Sequence, residues 1–260
     1  MGLILETNEI YNESCLETMG RMMDGYVDIT ITSPPYDNLR DYDGYVFDFQ
    51  SIAKELFRVT KQGGVVVWIV GDATVGGSET GTSFRQALYF KEVGFNLHDT
   101  MIWNKRGFSA VGALVSRYAP VFEYMFVLSK GKPKSFNPIK DRLNIWAGTK
   151  KHGTIRRRDG TTVKVSSPGN ISPKHGQRFN VWEMSPKRQR GYSHPAPFPE
   201  QLVIDHITSW SNQGDLIYDP FMGSGTTAIA SIKTGRMYVG SEVSEQYCRM
   251  SRQRVKDLNF

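Results

Sequence analysis

Apolar and polar positions alternate through residues 27–31 (VDITI), a β-branched run that stops at Thr32-Ser33-Pro34-Pro35-Tyr36. Two successive prolines cannot continue a central strand, so the pattern predicts a strand closed by a rigid turn. Over residues 49–61 the apolar side chains Ile52, Ala53, Leu56, Phe57 and Val59 recur at helical spacing, and Gly63-Gly64 reads as the stop. Residues 65–70 are continuously apolar, as in a parallel strand covered on both faces, and strand, helix, strand in that order make a βαβ unit. Residues 83–93 read as a further helix, and residues 99–103 and 124–128 as two more strands, after which the alternation ends.

Residues 154–165 (TIRRRDGTTVKV) alternate around Asp159-Gly160, a dipeptide that favours a type I′ hairpin turn. Proline and glycine are frequent over residues 167–199, which predicts irregular chain. Regular alternation then resumes, with a helix at 202–211, a short strand at 216–218, a helix at 226–234, a strand at 238–241 and a last helix. No repeat or low-complexity tract interrupts the pattern.

A chain of 260 residues, 39% hydrophobic and 22% charged, can bury a sizeable core and falls in the globular class. Its two cysteines, Cys15 and Cys248, make no disulfide framework and suit a reducing, cytoplasmic setting. The acidic N-terminus lacks the features of a secretory signal, and no apolar run could span a bilayer, so membrane association is not expected. Charge is unevenly placed. Residues 130–190 carry 16 Lys and Arg against three acids, a net +13 within a chain of net +6, which leaves −7 for the remainder. An acidic body with one basic segment suits a protein that holds a polyanion, although a solvated basic loop would show the same charge.

Two motifs narrow the chemistry. Asp219-Pro220-Phe221-Met222-Gly223-Ser224-Gly225-Thr226-Thr227 lies between a strand and a helix, where glycines allow close approach of a ligand and the helix N-terminus offers free N–H groups. Gly223-x-Gly225-x-x-Ala228 matches the loose dinucleotide fingerprint, and Glu242, 19 residues after Gly223, stands where a carboxylate would bind ribose hydroxyls. Too little chain follows to complete a dehydrogenase sheet, so the N-terminal half must complete it. The second motif, Thr32 to Tyr36, contains two consecutive prolines that fix the backbone and remove two N–H donors, leaving acceptors for a planar amino group. Acceptance of both N–H bonds, by Ser33 and the Pro34 carbonyl, would favour the pyramidal, nucleophilic nitrogen. Tyr36 would stack on the ring. A packing turn and an ordinary proline turn would account for either motif alone.

Together the motifs resemble those of the amino-methylating, S-adenosylmethionine-dependent DNA methyltransferases, in the order of the permuted β group: catalytic motif, basic insert, cofactor motif. The helix into Gly63-Gly64 with its following strand, residues 101–105 (MIWNK) and residues 194–202 (HPAPFPEQL) agree with that family too. The resemblance implies an α/β, Rossmann-like class I methyltransferase fold, circularly permuted. It implies a catalytic half over residues 1–130, a basic target-recognition insert over 131–190 and a cofactor-binding half over 191–260. Ser33, Pro34, Pro35 and Tyr36 would be catalytic. Asp219, Phe221, Gly223, Ser224, Gly225, Thr226, Thr227 and Glu242, with Phe198 and Pro199, would bind S-adenosyl-L-methionine. One departure concerns the Gly-Asp that usually precedes Cys-Leu-Glu and contacts adenine: here it is Glu13-Ser14.

Serine at position 33 is the family's commoner choice for cytosine N4, and aspartate for adenine N6. The expected reaction is therefore methylation of cytosine N4 in double-stranded DNA, with adenine N6, an RNA or protein amide, and a catalytically degenerate DNA-binding module as alternatives. The target base must be flipped from the stack, and residues 37–47, including Arg40, could close over it. Lys150, Lys151, Arg156, Arg157, Arg158, Lys164 and Arg178 are the other candidates for DNA contact, most of them to phosphate. Neither cysteine follows a proline as a cytosine-C5 nucleophile would, and both are expected to be ordinary buried thiols. The five histidines show no metal-ligand spacing, and no metal is expected. A homodimer and a companion restriction endonuclease remain open.

Overall fold

The computed structural model describes residues 5–35, 47–107, 117–165, 168–186 and 199–258. The described elements are, in chain order, β1 (Glu9–Tyr11), α1 (Cys15–Gly20), β2 (Val27–Thr32), α2 (Phe49–Val59), β3 (Thr60–Val70), β4 (Thr74–Val75), β5 (Ser78–Glu79), α3 (Thr82–Val93), β6 (Asn96–Asn104) and β7 (Phe122–Ser129). There follow β8 (Arg142–Leu143), β9 (Thr154–Arg156), β10 (Thr162–Lys164), β11 (His175–Gly176), β12 (Val181–Glu183), α4 (Glu200–Trp210), β13 (Leu216–Asp219), α5 (Thr226–Lys233), β14 (Met237–Ser241) and α6 (Glu245–Lys256). Contacts divide the chain into two compact units, Met1–Asn137 with Asn180–Phe260, and Pro138–Phe179.

The first unit is an eight-stranded sheet in the order β1-β14-β13-β2-β3-β7-β6-β12. β1, β14, β13, β2 and β3 are mutually parallel, whereas β7 runs antiparallel to both β3 and β6. The continuously apolar run in β3 is explained by cover on both faces: Val66, Trp68 and Val70 join a cluster with Met19 of α1, Ile52 and Leu56 of α2 and Phe90 of α3, and the alternate residues Val65, Val67 and Ile69 are equally buried on the opposite face. On that opposite face α5 and α6 enclose a second cluster of Ile10, Met222, Ala228, Tyr238 and Cys248. Trp68 satisfies its indole N–H with Gln86 Oε1 at 2.8 Å, so the ring packs without an orphaned donor.

Three expectations about the sheet unit are corrected. Gly63-Gly64 do not end α2, which passes straight into β3 at Thr60; both glycines lie inside that strand, where a Cβ on Gly64 would come within 2.9 Å of the Asp28 carbonyl. β3 has one parallel and one antiparallel neighbour, not two parallel ones. The stretch expected to be irregular contains β12, which extends the sheet beside β6 through Trp182 opposite Trp103. β1 and α1 carry no legible period because β1 has only three residues and α1 six, under two turns. Ser14 caps α1, accepting from the Leu16 N–H, while Glu17 accepts from the Ser14 N–H in a capping box.

The second unit is built from short antiparallel pairs, β8 with β11 and β9 with β10. The basic hairpin is present, but its turn is not type I′. Arg157 N–H bonds the Thr161 carbonyl at 2.7 Å and Gly160 N–H the Arg157 carbonyl at 3.0 Å. Only Gly160, at φ +84°, has a positive φ there, which makes a three-residue loop of Arg158, Asp159 and Gly160. Asp159 Oδ1 accepts from both the N–H and the hydroxyl of Thr161, and those bonds hold its carboxyl below the usual range. No helix of the described residues is long and apolar enough to cross a membrane.

Candidate active site

β13 and β2 lie side by side, with Ile217 opposite Ile29 and Tyr218 opposite Thr30. From β13 the chain runs through α5 to β14 on one side, and from β2 through α2 to β3 on the other. The loops leaving the carboxyl ends of these two strands therefore diverge, and a switch point of this kind is where open α/β sheets form their ligand crevice. Both sequence motifs sit there. Ser33, Pro34 and Pro35 follow β2 directly, with Pro34 buried and the other two half-buried. Residues 220–225 follow β13. The central feature joining the two is Asp219, whose side chain is 1% exposed.

Its carboxylate accepts hydrogen bonds from Thr32 Oγ1 at 2.7 Å, from the Phe221 N–H at 3.0 Å and from Thr227 Oγ1 at 2.6 Å. Burial pushes its pKa up to about 6, against the pull of those three donors. Asp219 thus binds the residue before the Ser33-Pro34-Pro35 turn to both ends of the glycine loop. Its oxygens are engaged within the protein, so its service to a ligand is to position groups that reach one.

Glu242 follows β14, the next strand. Its Oε2 accepts from the Gly223 N–H at 2.8 Å and its Oε1 from the Ser244 N–H at 2.9 Å, and Asn12 Nδ2 donates to its backbone carbonyl at 2.8 Å. Burial raises its carboxyl above the usual range while the two N–H groups pull it down. A carboxylate offers about four lone-pair sites, so two engaged N–H groups leave acceptors for vicinal hydroxyls. Gly225 adopts φ +81°, and a Cβ there would stand 2.8 Å from Ser251 Cβ. That glycine is required both by its backbone conformation and by the close pass of α6. α5 opens immediately after it with no side-chain cap, which leaves its first N–H groups for a ligand. Ser224 and Thr226 share a hydroxyl contact at 3.4 Å, and the Ser224 carbonyl accepts from the buried Arg254 guanidinium. Phe221 turns its half-buried ring toward Phe47 and Trp68, with centroids 5.7 Å and 6.4 Å away.

This donor set fits a nucleoside-bearing ligand: free helix N–H groups, a close-approach glycine loop and a buried acid on the adjacent strand. Pro199 stands at the N-cap of α4 with φ −60°. Tyr36, Arg40 and Phe198 lie outside the described residues. At the departure from the family pattern, Ser14 is occupied as the helix cap, and Glu13 pairs with Arg21 and accepts from Thr18 Oγ1 at 2.7 Å. Sequence reasoning gave no role to the side chain of Thr32, and it missed Asn12 and Arg254 altogether. The first had a signal, a hydroxyl immediately before the proline turn; the other two act through contacts across 230 and 30 residues that no local spacing reveals.

In the second unit Lys150, Lys151, Arg156, Arg157, Arg158 and Lys164 are all exposed. Register puts Arg156 and Lys164 on one face of the hairpin with Thr154 and Thr162, and Ile155 and Val163 on the other. Arg178 differs: it is paired with Asp141 through Nε at 3.0 Å and lowers that carboxyl. Both cysteines are buried, and burial raises the Cys248 thiol, as expected of packing thiols. Among the described residues no three His, Cys, Asp or Glu side chains are grouped to hold a metal.

Residues 27–253 match the family model described as DNA methylase, of the N6/N4 methyltransferases. The chain is 53% identical over 239 residues to the orphan methyltransferase M.BamHII of Bacillus amyloliquefaciens, covering 89% of each. Among solved structures, the PvuII DNA methyltransferase, titled cytosine-N4-specific, superposes with a TM-score of 0.71 at 23% identity over 96% of this chain and 87% of that one. A DNA modification methylase of Thermus thermophilus, crystallised with S-adenosyl-L-methionine, does so with a TM-score of 0.64 at 21% identity over 96% and 95%. The family match spans both motifs, the strands that bring them to one crevice and the basic unit between them, and the chain belongs to the N6/N4 DNA methylase family.

Proposed function

We propose that this DNA methyltransferase transfers the methyl group of S-adenosylmethionine to the exocyclic N4 of a cytosine flipped out of duplex DNA. The observation that carries the reading is the hydrogen-bonded path Thr32–Asp219–Thr227, which brings a turn suited to an amine and a loop suited to a nucleoside to neighbouring strand ends across 187 residues. Transfer between two bound groups needs such proximity, and orientation alone lowers a barrier by several kcal/mol, up to about 7–11. The cofactor supplies a methyl already made electrophilic by a sulfonium. The chain's own residues do the rest. Ser33 and the Pro34 carbonyl accept from the amine, Tyr36 stacks on the base, and Arg40 contacts the DNA. Phe221, Gly223, Gly225 and Thr226 surround the methionine part, Glu242 holds the ribose, and Phe198 and Pro199 flank the cofactor.

In this reading the order of motifs is the permuted one of the β group. The target-recognition insert is the compact unit Pro138–Phe179, which holds ten Lys and Arg against two acids. Its exposed Lys150, Lys151, Arg156, Arg157, Arg158 and Lys164 contact the DNA, chiefly phosphate. The reading is tested by following labelled methyl transfer from S-adenosylmethionine to unmethylated genomic DNA with wild-type protein and Ser33→Ala. Wild-type transfer, abolished in the variant with cofactor affinity within about twofold, is expected. Full transfer by Ser33→Ala would remove the catalytic assignment.

A further inference from the structure

Four of the five tryptophans are buried, Trp68, Trp103, Trp182 and Trp210 at 0–7% exposure, while Trp146 is 70% exposed beside Ile145 at 91%. These two side chains stand on the turn that follows β8, and that turn is not loose. Ala147 N–H bonds the Asn144 carbonyl at 3.1 Å, and the Trp146 carbonyl accepts from the Thr149 N–H at 3.2 Å and from the Thr149 hydroxyl at 2.7 Å. The neighbouring segment clasps it from outside: Asn144 N–H bonds the Lys174 carbonyl at 3.0 Å, Asn144 Nδ2 the Pro173 carbonyl at 2.8 Å, Gly148 N–H the Ser172 carbonyl at 3.0 Å, and Ser172 N–H the Thr149 carbonyl at 2.8 Å. A scattered exposed apolar residue needs no explanation, but two large ones held out on a hydrogen-bonded turn keep apolar surface in water at a cost that a partner would relieve. Lys150 and Lys151 follow at once, and the whole unit is net positive by eight.

We infer that the Ile145–Trp146 tip is an apolar anchor for DNA bases, with the Trp146 indole stacking on a base while Lys150 and Lys151 engage phosphate. An apolar wedge with adjacent cations is the combination that a duplex satisfies and an acidic protein surface does not: the wedge enters a base step and partly unstacks it, and the base faces so opened lie beside regularly spaced phosphates. Rigidity matters here: a pre-ordered turn spends little conformational entropy on binding. The inference rests on the DNA methyltransferase reading above and adds a contact which neither motif contains.

Because the other four indoles are buried, quenching of intrinsic fluorescence by neutral acrylamide reports Trp146. The duplex used is the sequence that the wild-type protein methylates, located by mapping the modified base. Saturating duplex is expected to cut the quenching constant of the wild type at least twofold and to leave that of Trp146→Phe nearly unchanged. Trp146→Ala is expected to weaken duplex binding about tenfold, with Trp146→Phe recovering most of the loss and S-adenosylmethionine affinity unaltered in both. Unchanged quenching in a saturated complex, or full duplex affinity in Trp146→Ala, would overturn the anchor while the methyltransferase reading stands. Failure of the wild type to methylate any DNA would overturn the reading beneath it, and the anchor with it.

Discussion

Thr32 precedes the Ser33-Pro34-Pro35 turn by one peptide bond and gives its hydroxyl to a carboxylate that also holds Thr227. Thr32→Val keeps the shape of the side chain and removes that donor, leaving the buried Asp219 with one bond fewer. A loss of about 1–3 kcal/mol in stability is expected from urea unfolding. Methyl transfer should fall by at least tenfold at saturating cofactor while cofactor affinity changes little, since the turn and not the glycine loop loses its support. Asp219 itself sets a pH dependence. Its folded pKa of about 6 exceeds the unfolded value of about 3.9, so the native state holds this proton more tightly. Stability from this group is fully present below pH 4 and is lost as pH rises through 6, to the extent of roughly 2–3 kcal/mol. The difference in unfolding free energy between Asp219→Asn and wild type, measured at pH 4.5 and pH 7.5, should therefore shift in favour of the variant at the higher pH. Asp28 works in the opposite direction: burial raises its pKa, but the Leu216 N–H, Lys61 and Lys134 more than offset that, so its contribution is lost toward acid. It is common to both proteins and cancels. At this scale the proline turn and the glycine loop were legible, because both depend on backbone constraints written in single residue types. The inward direction of Asp219 and the capping use of Ser14 were not, since an acid or a serine at a motif reads the same whether it faces a ligand or its own chain.

Among the elements, long periodic segments were legible and short ones were not. α2, α3, α4 and α5 each fall within a few residues of their sequence reading, because each runs for two or more turns between clear boundaries. Gly63-Gly64 misled for a physical reason: glycine ends helices by adopting positive φ, but it also admits close neighbours within a strand, and here Lys134 and the Asp28 carbonyl occupy the space a side chain would fill. β12 was missed because a three-residue strand in a stretch rich in proline and glycine carries no period. The connection from β13 to α5 offers a direct test of close packing. Gly225→Ala forces a left-handed backbone onto a residue with a Cβ and presses that Cβ onto Ser251. A destabilisation of about 1–3 kcal/mol is expected, with a larger proportional loss of cofactor affinity by calorimetry than of DNA affinity, since the helix N-terminus moves with it. Unchanged cofactor affinity in a folded Gly225→Ala protein would contradict the assignment of this loop.

For the whole molecule, the charge segregation visible in the sequence falls largely on one compact unit, Pro138–Phe179, which is net positive by eight. The sheet unit carries the crevice, and the unit Pro138–Phe179 carries exposed cations on both strands and the loop of its hairpin. Replacing Arg156, Arg157 and Arg158 by alanine together should lower DNA affinity and reduce the slope of log affinity against log salt by up to about 2.7, at about 0.9 for each phosphate that is no longer neutralised, with cofactor binding unchanged. An unaltered salt slope would mean that the hairpin does not touch the backbone. The sequence could place the basic segment but not the neutralisation of Arg178 by Asp141, a pairing between residues 37 apart that only the folded chain displays. The proposed acceptor atom is N4 of cytosine. Purified protein incubated with S-adenosylmethionine and unmethylated genomic DNA, followed by digestion to nucleosides and mass spectrometry, measures it directly. N4-methylcytosine is expected, absent from the Ser33→Ala control; N6-methyladenine in its place, or no methylated base at all, would overturn the assignment.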